Sequence, residues 1–143
     1  MRIGDLLRNK PRHEVITISP EASVRELIAL LAEHNVGALI VSADGASVDG
    51  IVSERDVVRR LVEHDEVLQG PVASIMTESV ETVEEQGLVD DLMKIMTERR
   101  IRHVPVVTNG QLTGIISIGD IVKHRIDQLE FERDQLDHYV HGS

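Results

Sequence analysis

The chain contains no cysteine and no tryptophan. Without thiols it can form no disulfide, no thiolate nucleophile and no cysteine-ligated zinc or iron–sulfur centre, a composition that fits a cytoplasmic protein. Aromatic residues make up 1% of the 143 positions, as Phe131 and Tyr139 near the C-terminus. The stacking platforms that usually hold single-stranded nucleic acids are therefore missing from the body of the chain. Positive charge is scarce as well: 15 Lys and Arg face 25 Asp and Glu, a formal net charge of -10. That balance argues against a broad basic face for nucleic acid or any other polyanion. No apolar run approaches a membrane-spanning length. The N-terminal MRIGDLLRNK lacks the apolar stretch and small-residue cleavage site of a secretory signal. H-E-x-x-H, G-x-S-x-G and P-loop patterns are absent too, and spacing picks out no Ser–His–Asp or paired-carboxylate set. Of His13, His34, His64, His124, His138 and His141, the last two could share a helix face. With no third ligand in view they read as solvated tail residues, so no metal site is expected.

What is present is a repeat. Hydrophobic content of 41% and charged content of 28% are ordinary for a globular chain, long enough for one domain or two small interlocked halves. The best-marked stretch is Arg102 to Asp120, RHVPVVTNGQLTGIISIGD. It holds a β-branched run, an Asn109-Gly110 turn, a second β-branched run at Ile115 and Ile116, and a helix start at Ser117. A weaker copy, GALIVSADGASVDGIVSERD, runs from Gly37 to Asp56. Thr17 and Thr82 stand 65 residues apart, and at that offset Val24 meets Val89, Leu27 meets Leu92, Val41 meets Val106 and Gly45 meets Gly110. Beyond the turn the offset is 64, matching Gly50 to Gly114, Ser53 to Ser117 and Asp56 to Asp120. The first copy thus carries one extra residue at a hairpin tip, where insertions are tolerated.

Taken in order, Ile3, Leu6 and Leu7 have helical spacing, ended by Lys10-Pro11. Val15 to Ile18 alternates as a short strand. Ser23 with Glu26 is a capping signature opening a helix with Val24, Leu27, Ile28 and Leu31 on one face, ending near Asn35. Leu39 to Val41 and Ile51-Val52 are strands, and Ser53 caps a helix. Residues 65–72 read as a linker punctuated by Gly70-Pro71. Val80 to Val83 is expected as a strand, followed by a helix with Val89, Leu92, Met93 and Met96 on one face. The fold class is therefore α/β (α+β), with two β-α-β-β-α units too small to bury their own sheet faces and so packed together. The division follows as 1–72, 73–128 and a helical tail over 129–143. In that tail Val122, Ile126, Leu129, Leu136 and Val140 follow 4-3-7-4 spacing, with Arg133 breaking the seam. It either packs on its own domain or meets a partner helix in a homodimer.

Ser53 with Asp56, and Ser117 with Asp120, each put a hydroxyl at a helix N-cap and a carboxylate three residues on. Spacing alone favours an ordinary capping box. The same geometry suits a nucleotide, because a helix N-terminus attracts phosphate and a nearby carboxylate can accept from a ribose diol. Gly119 would let a ligand approach the backbone, where the first copy has Arg55. Arg99 and Arg100 fit the last turn of a helix. Arg102 and His103 fall beyond it, where the first copy has Gly37 and Ala38, so the repeat does not require basic residues there and both are phosphate-ligand candidates.

Two β-α-β-β-α copies, each ending G-[IV]-[VI]-S-x-x-D, resemble a tandem pair of cystathionine-β-synthase-type (CBS) domains, the Bateman module. Ile3-Gly4-Asp5-Leu6-Leu7 and Ala73-Ser74-Ile75-Met76-Thr77 are similar to the family's lead-in segments. IRHVPVV, GIISIGDIVK and a tail ending LDHYV resemble small stand-alone bacterial CBS-pair proteins labelled as related to inosine-monophosphate dehydrogenase, whose catalytic barrel and cysteine have no counterpart here. The resemblance implies two repeats packed through their sheets with pseudo-twofold symmetry. It also implies a non-enzymatic regulatory role: binding adenosine-containing ligands (AMP, ADP, ATP, NAD or S-adenosylmethionine) in two clefts, with no required cofactor. In one cleft Asp120 and Ser117 would take the ribose side, Gly119 the close approach and Arg102 and His103 the phosphate, while Val36, Gly37 and Ala38 would line the base. In the other, Asp56 and Ser53 would take the ribose side, with Thr77, Val80, Ile101 and Arg102 supplying the rest. Leu7-Arg8 stands where the family has Met-Thr, but the Asp120 cleft is still preferred, because it has Gly119, Gly37 and the basic pair. The alternative is an interaction module, a dimer with empty clefts whose S-x-x-D motifs are only caps. A small hydrolase or metal-dependent enzyme comes third. A homodimer is expected, and a chain of this length would signal through an effector protein or the dimer, with no membrane partner.

Overall fold

A computed structural model describes residues 1–10 and 15–141. Pro11 and His13, and the last two residues of the tail, lie outside the described residues. The order is α1 (Ile3–Arg8), β1 (Thr17–Ile18), α2 (Val24–His34), β2 (Ala38–Val41), β3 (Gly50–Ser53), α3 (Glu54–Glu63), α4 (Val89–Arg99), β4 (His103–Thr108), β5 (Gln111–Ser117) and α5 (Ile118–Val140). No helix among the described residues is long and apolar enough to cross a membrane.

Local chemistry sets the element ends. The Ser23 hydroxyl accepts from Glu26 N–H at 3.1 Å, and α2 stops where Asn35 turns left-handed at φ 53°. That conformation suits asparagine better than most side chains. The Asn109-Gly110 hairpin has φ of 54° and 79°, as a tight β-hairpin demands. The longer first hairpin is held instead by Asp44, whose Oδ1 accepts from the N–H of Ser47 at 2.8 Å and of Ala46 at 2.9 Å, and from the hydroxyls of Ser47 and Ser42. These bonds hold its carboxyl well below the usual carboxylate range.

Each repeat folds its strands against its own helices. In the first, β2 lies between β1, parallel, and β3, antiparallel. In the second, β4 and β5 are antiparallel. The strand expected over Val80 to Val83 is reduced to a single parallel bridge between Val83 and Val106. Val83 N–H donates to Pro105 O at 3.1 Å and Val107 N–H to Val83 O at 2.8 Å. The next rung toward the N-terminus would need an N–H from Pro105, which proline lacks. The first copy has Ile40 there, and its pairing extends to Thr17. Alternation turns Leu39 and Val41 to the helices, and Ala38 and Ile40 to the opposite face, where both are buried. Pro105, the equivalent of Ile40, is buried too. The repeats therefore face each other across their sheets with pseudo-twofold symmetry, and Leu112 N–H reaches Ala46 O at 2.7 Å between the hairpins.

Core membership does not follow chain order. Ile3 and Leu6 of α1 are buried with Val89, Leu92, Met96, Val104, Val106, Ile116 and Ile121, the core of the second repeat. Val72 and Ile75 are buried in the core of the first, with Leu27, Leu39 and Val52. Each lead-in thus crosses to the opposite half. Residues 65–72 are not a free linker: Asp65–Gln69 form a 3-10 turn, Val67 and Leu68 pack on the first core, and Val72 is fully buried. Burying side chains of this size stabilises by roughly 1.5–3 kcal/mol each, which is why the segment is structured. Beyond residue 128, α5 leaves its own domain and its side chains are exposed through Val140.

Candidate functional site

Both S-x-x-D motifs form reciprocal caps. Ser53 caps α3: its Oγ accepts from Asp56 N–H at 3.3 Å, and Asp56 Oδ2 accepts from Ser53 N–H at 2.8 Å and from its hydroxyl at 3.1 Å. Ser117 caps α5 likewise, with 3.2 Å from Asp120 N–H to Oγ and 2.8 Å from Ser117 N–H to Asp120 Oδ2. Strand register sets Ala38 beside Ser53 and His103 beside Ser117. Gly37 O accepts from Glu54 N–H at 2.9 Å, and Arg102 O from Ile118 N–H at 2.8 Å, so the two sites begin with the same backbone. Neither carboxylate is fully buried.

The surroundings then diverge. Around Asp120 the structure gathers His103, Gly37 and two residues that the sequence did not single out, Lys10 and Glu54. A Cβ on Gly37 would lie 3.7 Å from both Glu54 Oε1 and the His103 ring. Burial pushes the His103 imidazole below its ordinary value of 6.5; Asp120 draws it back up, Lys10 and Arg102 press it down, and Glu54 raises it. A neutral ring at pH 7 can donate one hydrogen bond and accept another. Lys10 Nζ lies 2.9 Å from Asp120 Oδ2 and 2.7 Å from Ile115 O, with both charged side chains about one-fifth exposed. Beside it an open groove is lined by Leu6, Asn9, Lys10, Asp120, Lys123, His124 and Asp127. Gly119 is exposed, and a Cβ there would meet only Ser117 Oγ, at 3.5 Å. The fold itself does not require glycine at that position.

Around Asp56 no cation lies within ion-pair distance among the described residues. The lead-in of the second repeat runs alongside instead, with Thr77 and Ile51 exchanging both backbone bonds at 2.9 and 3.0 Å. Gly50 makes room for it: a Cβ there would fall 2.8 Å from Met76 Sδ and 2.9 Å from Thr77 O. In the other half Leu7 fills the matching place over Gly114, and Ile115 O, the counterpart of Ile51 O, takes the Lys10 ammonium. Val36 and Ile101 are half-buried, each against its own repeat's core. Arg102 is exposed, and Val80 lies half-buried in irregular chain before the Val83 bridge. Among the described residues no hydrogen bond joins Val80 to Ser53, Asp56 or Thr77. Lys10 escaped sequence reading because it comes from the crossed lead-in, and Glu54 because it reaches the Asp120 side from the other repeat, in the first turn of α3. The signal that could have found Lys10 was the departure from Met-Thr in the first lead-in.

The arrangement offers two capped helix N-termini with partly exposed carboxylates. Groups of three or more potential metal ligands are absent among the described residues. The sequence profile of the CBS domain matches residues 3–63 and again 72–127. The CBS-domain containing protein ATU1752 from Agrobacterium tumefaciens is 44% identical, with a TM-score of 0.82 over 87% of this chain and 99% of its own. CBSX2, solved in complex with AMP, is 27% identical with a TM-score of 0.76, covering 88% of this chain and 96% of that one. The CBS domain pair of the protein MJ0100, solved with 5′-methylthioadenosine and S-adenosyl-L-methionine, is 26% identical with a TM-score of 0.76, covering 86% and 98%.

Proposed function

The chain belongs to the CBS-domain family, and from that premise we propose that it is a non-enzymatic cytoplasmic sensor binding an adenosine-containing ligand of the AMP, ADP, ATP or NAD class between its repeats. The observation that carries the reading is the duplicated cap. In both halves a strand ends on a serine that caps the following helix, with a partly exposed carboxylate beside it. The ribose diol would donate to Asp120 or Asp56, phosphate would meet the helix N-terminus, and Arg102 with neutral His103 would serve the Asp120 side. Two relatives of the same fold solved with AMP and with S-adenosylmethionine support the ligand class.

The partner in this reading is a second copy. Val58 and Val62 on α3 are 61% and 84% exposed, and their repeat equivalents Val122 and Ile126 on α5 are also exposed. The stripe continues through Leu129, Leu136 and Val140. An apolar stripe left this exposed along the outer half of α5 gains from being covered by a second helix. Ligand binding would then be read out through the dimer or an effector protein.

A second reading, a dimer with empty clefts, draws on one observation: both carboxylates already serve as reciprocal caps. Calorimetry of nucleotide-free protein against AMP, ATP, NAD and S-adenosylmethionine separates the two. Binding of at least one ligand, reduced tenfold or more by Asp56→Ala or Asp120→Ala with the fold retained, supports the sensor. No heat with any of them leaves the interaction module standing.

A further inference from the structure

The two clefts are not equivalent, and one of the side chains that differ reaches the carboxylate itself. Lys10 Nζ is held between Asp120 Oδ2 at 2.9 Å and Ile115 O at 2.7 Å. Both oxygens are fixed by other parts of the fold. Asp120 is locked by its cap to Ser117, and Ile115 pairs with Pro105 in β5. In the other half the counterpart carbonyl, Ile51 O, accepts from the Thr77 N–H, and among the described residues no cation lies within ion-pair distance of Asp56. A lysine side chain thus does in one half what a backbone N–H does in the other, and it also neutralises the carboxylate there.

We propose that Lys10 is a tethered occupant of the Asp120 cleft, so that the Asp56 cleft fills first and a ligand enters the Asp120 cleft only by displacing the Lys10 ammonium. This rests on the adenosine-ligand reading above and reverses the ranking that Gly119, Arg102 and His103 suggest from sequence. A diol hydroxyl and an ammonium are both donors, and both would be drawn to the Asp120 carboxylate. The competition is local but its consequence is not. Lys10 follows directly on α1, which is anchored in the second repeat by Ile3, Leu6 and by Leu7 over Gly114. Filling the Asp120 cleft therefore removes one of the ties that hold the N-terminal segment across the repeat boundary, whereas filling the Asp56 cleft removes none.

Two measurements on the full chain test this. The first is amine labelling with mass spectrometry. The chain has only three lysines, and Lys94 and Lys123 are exposed controls. Without ligand, Lys10 is expected to label at least several-fold more slowly than both, and saturating AMP should bring it to their rate. The second is calorimetry with AMP. Wild type should show a tight and a weak site. Lys10→Met, with Lys10→Gln as a second variant, should tighten the weak site roughly three- to tenfold, the range of a partly screened ion pair, and leave the tight one unchanged. Lys10 labelling as fast as the controls without ligand would overturn the inference. So would an unchanged or weakened second site in both variants. Absence of binding in wild type and variants alike, with Lys10 protected, would sink the adenosine-ligand reading and this inference together. Binding with identical affinities in all three proteins would sink this inference alone.

Discussion

Replacing Gly50 with alanine probes the crossing of the lead-ins, and Gly114→Ala is its internal control. At Gly50 the new methyl would lie 2.8 Å from Met76 Sδ, 2.9 Å from Thr77 O and 3.1 Å from Met76 Cγ. The Met76 side chain can swing aside, but the Thr77 carbonyl cannot move alone. It accepts from Ile51 N–H at 3.0 Å while Thr77 N–H donates to Ile51 O at 2.9 Å. To reach ordinary contact the lead-in must retreat by several tenths of an ångström, stretching both bonds and loosening Ile75 from the first core. Overpacking of this kind costs about 1–3 kcal/mol. At Gly114 the three atoms nearest the methyl all belong to the Leu7 side chain, its two Cδ atoms at 2.7 and 2.9 Å. Those are the ends of a flexible side chain, and alanine recovers roughly 0.5–1 kcal/mol over glycine within a strand. Gly50→Ala should therefore lose more stability than Gly114→Ala by at least ~1 kcal/mol in urea denaturation, and it should weaken ligand at the Asp56 cleft. Equal losses, or the reverse order, would refute the placement of Thr77 on Ile51.

Other substitutions reach different parts of the fold. Arg100 sits at φ 56° as the αL cap of α4, at the position where α2 has Asn35; Arg100→Asn should stabilise by up to about 1 kcal/mol in the same assay, because asparagine tolerates that conformation better. His103 should make stability pH-dependent. Its folded value is depressed, chiefly by burial and further by Lys10 and Arg102, against the pull of Asp120 and Glu54. As pH falls below 6.5 the unfolded chain takes up a proton that the folded ring resists. That stabilising contribution is full above the ordinary value and is lost as pH falls through the folded one. A urea series from pH 7.5 to 5 should show the decline in wild type, and His103→Asn should reduce it; an equal slope in both would exclude the ring as the cause. The double change Leu129→Glu and Leu136→Glu, at two exposed positions of α5, should leave monomer stability within ~0.5 kcal/mol yet convert a light-scattering dimer to monomer.

Internal repetition made most of the fold legible. Matching Val24 to Val89 and Gly50 to Gly114 identified helix faces and strand positions that neither copy marks strongly alone, and the Asn109-Gly110 turn and both Ser–Asp caps stand as expected. Val80 to Val83 misled because propensity knows nothing of the partner strand: a proline across the ladder, at Pro105, removed the donor that a longer strand would have used. Residues 65–72 misled because Gly70-Pro71 punctuates the chain locally, while Val72 is bound by contacts that local sequence does not record. The candidate site divides along the same line. Its caps are local and could be read from four residues at a time. Its charge balance is not, because Lys10 arrives from 110 positions earlier along the crossed lead-in, and Glu54 comes from the opposite repeat. Subtracting one copy from the other isolates what the fold does not require, and it rightly singled out Arg102 and His103 as unshared. It could not detect that the two copies differ in what crosses over to them. In a duplicated fold whose lead-ins exchange halves, the asymmetry of each cleft is written into the segment farthest from it in sequence. For this chain that segment is the first ten residues, and the side chain that distinguishes the Asp120 cleft from its twin is the last of them.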